Sequence, residues 1–313
     1  MEQHQWSGVL PAITTPFRTD LSVDHAALEA HVQWLAEQGC SGIVALGSLG
    51  EGATLGFEEK VEVLQTCRKA LARDLPVIAG IAGLSTAECV GLATRAAKAG
   101  CDGLMVLPPY VYRGDWRESR AHFEAVISAT RLSCMLYNNP IAYGTDVSPA
   151  QLVELTKHAN LHAVKESSGD VRRVTGIRAQ LGDRLNVLAG MDDAILESVP
   201  MGAVGWVAGL VNALPVESVK LFELARANQM DEAVELYEWF LPLLRLDTVP
   251  KFVQLIKLVQ AEVGHGTPTV RPPRLELDGA EREAVLALVR ERLASRPNTS
   301  PSAAPARGAM PVA

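Results

Sequence analysis

Four stretches of this sequence place polar side chains where an apolar run ends, and these hold the residues able to do chemistry. They are Gly47-Ser48-Leu49-Gly50-Glu51-Gly52, Pro108-Pro109-Tyr110, Tyr137-Asn138-Asn139-Pro140 and Lys165-Glu166-Ser167-Ser168. Lys165 closes the apolar run Leu161-His162-Ala163-Val164, so its amine is carried among neighbours that disfavour a charge. Desolvation lowers a lysine pKa, and a neutral amine attacks a carbonyl or imine carbon to form a Schiff base. On position alone the same residue could equally be a strand-end lysine paired with Glu166 or another acid and kept for solubility. Tyr137 ends the preceding apolar run, where a phenol can shuttle protons to an adduct on Lys165; a tyrosine at a sheet end is also a common amphipathic placement.

The glycine-rich turn Gly47 to Gly52 lacks the terminal Lys and Ser/Thr of a phosphate loop and does not match the dinucleotide spacing. Its successive backbone N–H groups, with the Ser48 hydroxyl, suit a carboxylate, although a plain tight turn would look the same. Seven histidines are scattered, and no pair sits on one helix face at ligand spacing, so no metal site is expected. Asp192-Asp193 resembles a paired-carboxylate site but reads as the start of a helix, where acids complement the dipole.

These residues need a scaffold that brings strand ends together, and the chain supplies one. Short apolar runs alternate with segments of three-to-four-residue apolar spacing. The expected strands are 9–15, 42–46, 76–81, 103–107, 133–137, 162–165, 186–189 and 203–207. Each is nearly continuous in apolar residues, as parallel strands buried on both faces must be. Between them lie amphipathic helices, such as 24–38, whose stripe is Leu28, Val32, Leu35 and Ala36. Asp24, Ser85 and Ser148 stand where N-caps belong; Gly39, Gly100 and Gly182 stand just past helix ends. Eight βα units favour a (β/α)8 barrel, in which active residues gather at the carboxyl ends of the strands. The barrel is assigned to residues 1–229 and a C-terminal helical extension to 230–294, with helices over 230–244, 248–263 and 279–293. The Ser-, Pro- and Ala-rich 295–313 reads as a disordered tail.

Bulk properties narrow the partners. At 313 residues, 48% hydrophobic and 21% charged, the chain is an ordinary globular one. A net charge of −7 without a basic cluster argues against nucleic acid. No signal segment or membrane span is visible, which points to the cytoplasm. The five cysteines are odd in number and widely spaced, as reduced buried thiols would be.

Together, Pro11-Ala12-Ile13-Thr14-Thr15-Pro16-Phe17, the Gly-Ser-Leu-Gly-Glu turn, Tyr137-Asn138-x-Pro140, Lys165-Glu166-Ser167 and Gly190-Met191-Asp192-Asp193 resemble the dihydrodipicolinate synthase and N-acetylneuraminate lyase family of class I aldolase-type barrels. The likeness runs from about Gly8 to Arg292. It implies that Lys165 is the Schiff-base lysine, Tyr137 its proton-transfer partner and Gly47 to Leu49 the carboxylate grip. Asn139, Ser167 and Gly190 are then expected to line the substrate site. It also implies homodimers or homotetramers, a small 2-oxo acid or cyclic imine carboxylate as substrate, and no cofactor.

Three departures bear on the reaction. The lysine-pathway synthase carries two threonines in the turn, a second tyrosine supplied across a subunit contact, and an arginine near the site entrance; here these places hold Ser48-Leu49, Val111 and Ala142. The stretches Tyr137 to Gly144, Gly205 to Asn212 and Leu244-x-Leu246-Asp247 look most like the hydroxyproline-pathway branch, the 1-pyrroline-4-hydroxy-2-carboxylate deaminases. That branch implies ring opening on Lys165, loss of the 4-hydroxyl, and release of ammonia and 2-oxoglutarate semialdehyde, with Tyr137 and Ser48 moving protons. The alternatives are a pyruvate-dependent aldolase or synthase such as dihydrodipicolinate synthase, and a non-catalytic barrel that binds a 2-oxo acid.

Overall fold

Strands buried on both faces can pair only with one another, and here eight of them do so in parallel. In a computed structural model, which describes residues 1–297, they are β1 (Gly8–Pro11), β2 (Ile43–Ala45), β3 (Val77–Ile81), β4 (Gly103–Val106), β5 (Ser133–Asn138), β6 (Leu161–Glu166), β7 (Asn186–Ala189) and β8 (Gly205–Ala208). Their order is β1-β8-β7-β6-β5-β4-β3-β2. A parallel bridge between Ala12 and Val44, with Ile13 N donating to Val44 O at 3.0 Å, closes the circle. The chain is therefore a (β/α)8 barrel.

The outer layer is α1 (His25–Glu37), α2 (Phe57–Ala70), α3 (Thr86–Lys98), α4 (Trp116–Ser128), the one-turn α5 (Pro140–Tyr143), α6 (Pro149–Leu155), α7 (Arg172–Leu181), α8 (Ile195–Ser198) and α9 (Pro215–Arg226). Three caps expected from the sequence are made: Asp24 accepts from Ala27 N at 3.1 Å, Ser85 from Glu88 N at 3.2 Å and Ser148 from Gln151 N at 3.3 Å. Gly39, Gly100 and Gly182 end α1, α3 and α7 with positive φ of 92°, 87° and 54°.

Beyond β8 and α9 come α10 (Met230–Leu244), α11 (Phe252–Glu262) and α12 (Gly279–Ala294). Phe240, Leu244, Ile256 and Val259 share one hydrophobic core with the strands. Among the described residues no helix is long and apolar enough to cross a membrane, and all five cysteines are buried and free.

Several expected boundaries move. The first strand ends at Pro11 rather than Thr15, because Thr14 turns its N–H to Asn212 Oδ1 (3.2 Å) and Thr15 gives its hydroxyl to Gly50 O (2.7 Å). The helix expected to begin at Thr248 begins at Phe252: Arg245–Asp247 form a 3-10 turn, and Pro250 disfavours helix in the residue before it. Ser295 and Arg296, expected in the tail, are held: Ser295 N–H bonds Glu291 O, and Arg296 pairs with Glu217. The rest of that segment, 298–313, lies outside the described residues.

Candidate active site

β5 and β6 pair so that Tyr137 lies directly beside Lys165. Successive residues of a strand face opposite ways, which separates Lys165 from Glu166. The Glu166 carboxylate accepts from Asn138 Nδ2 at 3.0 Å and from Ser168 N at 2.7 Å, so the pairing with Lys165 that the sequence left open is not made. Lys165 is 6% exposed, and its Nζ stands 4.2 Å from the centre of the Tyr137 ring.

The space around this amine is made by glycine. A Cβ on Gly190, just after β7, would lie 2.6 Å from Lys165 Cε and 2.0 Å from Ser167 Oγ. Ser167 is wholly buried, and its Oγ has no hydrogen-bond partner. Lys165, Ser167 and Gly190 thus meet at one point.

Across the barrel, the turn after β2 is flanked by two residues in the left-handed region, Leu46 (φ 65°) and Glu51 (φ 54°). The N–H groups of Glu51 and Gly52 are used inside the turn, on Ser48 O and Gly47 O. Those of Ser48 and Leu49 have no partner among the described residues, which leaves two adjacent donors for an anion. The turn is fastened from behind. Glu51, fully buried, receives Lys257 Nζ of α11 at 2.6 Å and Arg271 N at 3.0 Å; Lys257 Nζ also donates to Thr15 O and Thr269 O, each at 2.8 Å.

Two expected site residues take parts of their own. Asn139 caps α5 by accepting from Ala142 N at 2.9 Å, and its Nδ2 donates to the Tyr137 hydroxyl at 3.0 Å. The Ser48 hydroxyl is hydrogen-bonded to the Tyr143 phenol. The Tyr143 ring meets Tyr137 edge-on with centroids 5.7 Å apart, and Tyr110 lies 6.0 Å from it on the other side. Burial, followed by the neighbouring Tyr137, pushes the Tyr143 phenol up, so it stays protonated at neutral pH. Sequence reasoning missed Tyr143 as a site residue. Its signal was the local pattern of an Asn139 cap, Pro140 at the first helical position and Gly144 as stop, which spells a one-turn helix ending in that tyrosine.

Asp192 does what the sequence suggested and more. With Asp193 it opens the 3-10 turn Asp192–Ala194 that leads into α8, and its side chain also reaches the start of a second 3-10 turn, Leu210–Asn212, capped by Gly209. It is fully buried and accepts from Trp206 Nε1 (2.9 Å), Gly209 N (3.1 Å) and Leu210 N (2.8 Å). Burial pushes its carboxyl up to about 6, against the pull of those three donors and of the Lys165 charge.

The family model described as Dihydrodipicolinate synthetase family matches residues 5–292. The 4-hydroxy-tetrahydrodipicolinate synthase of Methanosphaerula palustris is 32% identical over 287 residues, 90% of this chain and 97% of its own. That of Rhizobium meliloti is also 32% identical, over 91% of this chain and 98% of its own. A dihydrodipicolinate synthase of Bacillus anthracis superposes with a TM-score of 0.87 at 27% identity, covering 91% of this chain and 98% of the other. YagE, a prophage protein of the dihydrodipicolinic acid synthase family from E. coli K12 solved with pyruvate, gives 0.86 at 26%, covering 92% and 99%. The likeness runs through the whole barrel and its C-terminal helices rather than through one motif, and so this chain belongs to the dihydrodipicolinate synthetase family.

Proposed function

We propose that this class I aldolase-type enzyme is a 1-pyrroline-4-hydroxy-2-carboxylate deaminase, working through a Schiff base on Lys165. The observation that carries the covalent part is the placement of Lys165: a buried amine against the Tyr137 ring, in a barrel whose turn after β2 keeps the N–H groups of Ser48 and Leu49 free. The Ser48 and Leu49 amides hold the substrate carboxylate, with Gly47 letting the turn pass close; Asn139, Ser167 and Gly190 orient and make room for the adduct.

In this reading the Lys165 amine attacks C2 of the ring imine. The bond from C2 to the ring nitrogen breaks, leaving an open-chain Schiff base with a free amine on C5. A proton leaves C3 and the hydroxyl leaves C4 as water. Proton shifts from C5 toward C3 and C4 turn the C5 amine into an imine. Water hydrolyses that imine to an aldehyde and ammonia, and a second water frees 2-oxoglutarate semialdehyde from Lys165. Tyr137, Ser48 and Tyr143 form the phenol–hydroxyl set able to move protons beside C2.

Leu49, Val111 and Ala142 stand where the synthase resemblance asks for a hydroxyl, a phenol and a guanidinium, and this favours deamination over aldehyde condensation. The second reading is a pyruvate-dependent synthase, favoured by the names of the relatives at 32% identity. A homodimer or homotetramer in the cytoplasm, without a cofactor, goes with either. The test is to incubate the protein with the pyrroline, or with pyruvate and an aldehyde, and reduce with borohydride. Ammonia release and added mass on the Lys165 peptide are expected with the pyrroline, and Lys165→Ala should lose both. Pyruvate-dependent aldehyde consumption without ammonia would transfer the assignment to the synthase.

A further inference from the structure

One ionisable group close to Lys165 has no part in the scheme so far. Asp247 comes from outside the βα repeats, on the 3-10 turn Arg245–Asp247 after α10. Its carboxyl rests on Gly209, just past the end of β8: a Cβ there would lie 2.0 Å from Oδ1 and 2.7 Å from Oδ2. Oδ1 is sealed from solvent and has no hydrogen-bond partner. Ser167 Oγ, on the β6 side, is likewise buried and unpartnered. Buried polar atoms are nearly always satisfied, so two orphaned oxygens around one lysine mark a surface completed by a ligand.

The charges that bear on Asp247 are those of Asp192 and Asp193 from the turn after β7 and of Lys165 from β6, with Arg245 on its own turn, 4.0 Å from Asp193. Two buried carboxyls side by side do not both ionise readily. Asp192 holds three donors and is the better anion. Asp247 has no such donors, and burial together with the Asp192 charge pushes its carboxyl well up, so the proton rests on Asp247.

A substrate carboxylate on the turn after β2, with the phenols on the β5 side, would leave the β7–β8 side for the carbon tail of the adduct, and there the Asp247 carboxyl rests on Gly209. We propose that Asp247 is a catalytic acid that protonates the hydroxyl leaving C4 of the Lys165-bound substrate, and so selects substrates that carry one. This rests on the deaminase reading. In the step, the electron pair of the C2–C3 enamine forms the C3–C4 double bond as the lysine nitrogen becomes an iminium. The C4–O bond breaks, and the oxygen leaves as water with the Asp247 proton. Asp247 remains as a carboxylate.

The test compares full-length wild type with Asp247→Asn on 1-pyrroline-4-hydroxy-2-carboxylate and on 1-pyrroline-2-carboxylate, which lacks the hydroxyl. Ammonia release from the first should fall about 100-fold or more, the usual range for loss of a general acid. Borohydride trapping of Lys165 by both pyrrolines should persist, and the adduct trapped from the hydroxylated one should retain its hydroxyl oxygen. Unchanged ammonia release, an adduct already dehydrated, or trapping lost with both pyrrolines would overturn the role of Asp247 while leaving the deaminase standing. A wild type that releases no ammonia removes both.

Discussion

Tyr143 bonds Ser48 and faces Tyr137, so a phenol from the chain's own one-turn helix reaches the glycine-rich turn after β2. Val111, which holds the position of the second tyrosine in the family resemblance, is 77% exposed. Tyr143→Phe removes one hydroxyl and keeps the ring packing. The expected outcome is a fall of about 100-fold in the rate of Schiff-base formation with little change in KM, read by rapid-mixing kinetics. Gly190 is decided by space rather than by φ. Gly190→Ala should displace Lys165 and Ser167 and lower kcat by about 100-fold, since a shift near 1 Å is enough; its thermal midpoint should move far less than its activity.

At the scale of elements, the turn after β2 is held in a conformation its sequence does not favour. Leu46 and Glu51 each sit at positive φ, at a cost of about 1–2 kcal/mol per residue. The offset comes from α11, whose Lys257 meets Glu51 at 2.6 Å and lies 4.4 Å from the centre of the Phe17 ring. Lys257→Met would leave the Glu51 carboxylate buried with only Arg271 N and, at 3.8 Å, Arg274. The expected loss is about 3–5 kcal/mol in denaturant melts, with a raised KM for the carboxylate substrate. The double variant Glu51→Gln with Lys257→Met should recover a good part of the stability, because no unpaired charge remains. Full stability in Lys257→Met would mean that the turn holds itself.

For the whole molecule, Asn212 ties the ends of β1 and β8 to the outer helix α1. Its amide donates to Ala12 O and Gly209 O, each at 2.8 Å, and its Oδ1 accepts from Thr14 N at 3.2 Å and from His31 Nε2 of α1 at 2.9 Å. Burial lowers the His31 pKa from 6.5 to about 4. Below pH 6.5 the unfolded chain therefore binds the proton more readily than the folded one. The stability this neutral ring contributes is present above pH 6.5 and lost as the pH falls to 4, a loss of about 3 kcal/mol. Asp192, raised from 3.8 to about 6, acts with the opposite sign over part of that window. The informative quantity is thus the difference between wild type and His31→Gln in chemical melts from pH 7 to 4. Wild type should lose more; parallel curves would remove His31 as the cause.

The sequence by itself determined the barrel, because eight apolar runs of strand length, each followed by a capped amphipathic helix, have few other ways to bury both faces. It also made Tyr137 the neighbour of Lys165, since the fifth and sixth strands are adjacent in such a barrel. Tertiary structure alone decided which partner each polar group takes. Glu166 turned to Asn138 instead of Lys165, Asp192 reached the start of the 3-10 turn after β8 as well as opening its own, Tyr143 came to bond Ser48, and Asp247 came to rest on Gly209. The physical reason is one of range. Periodicity reports which face of an element is buried, whereas the partner of a buried charge is chosen by chain segments far apart in sequence, such as Glu51 and Lys257, and leaves no local pattern to read.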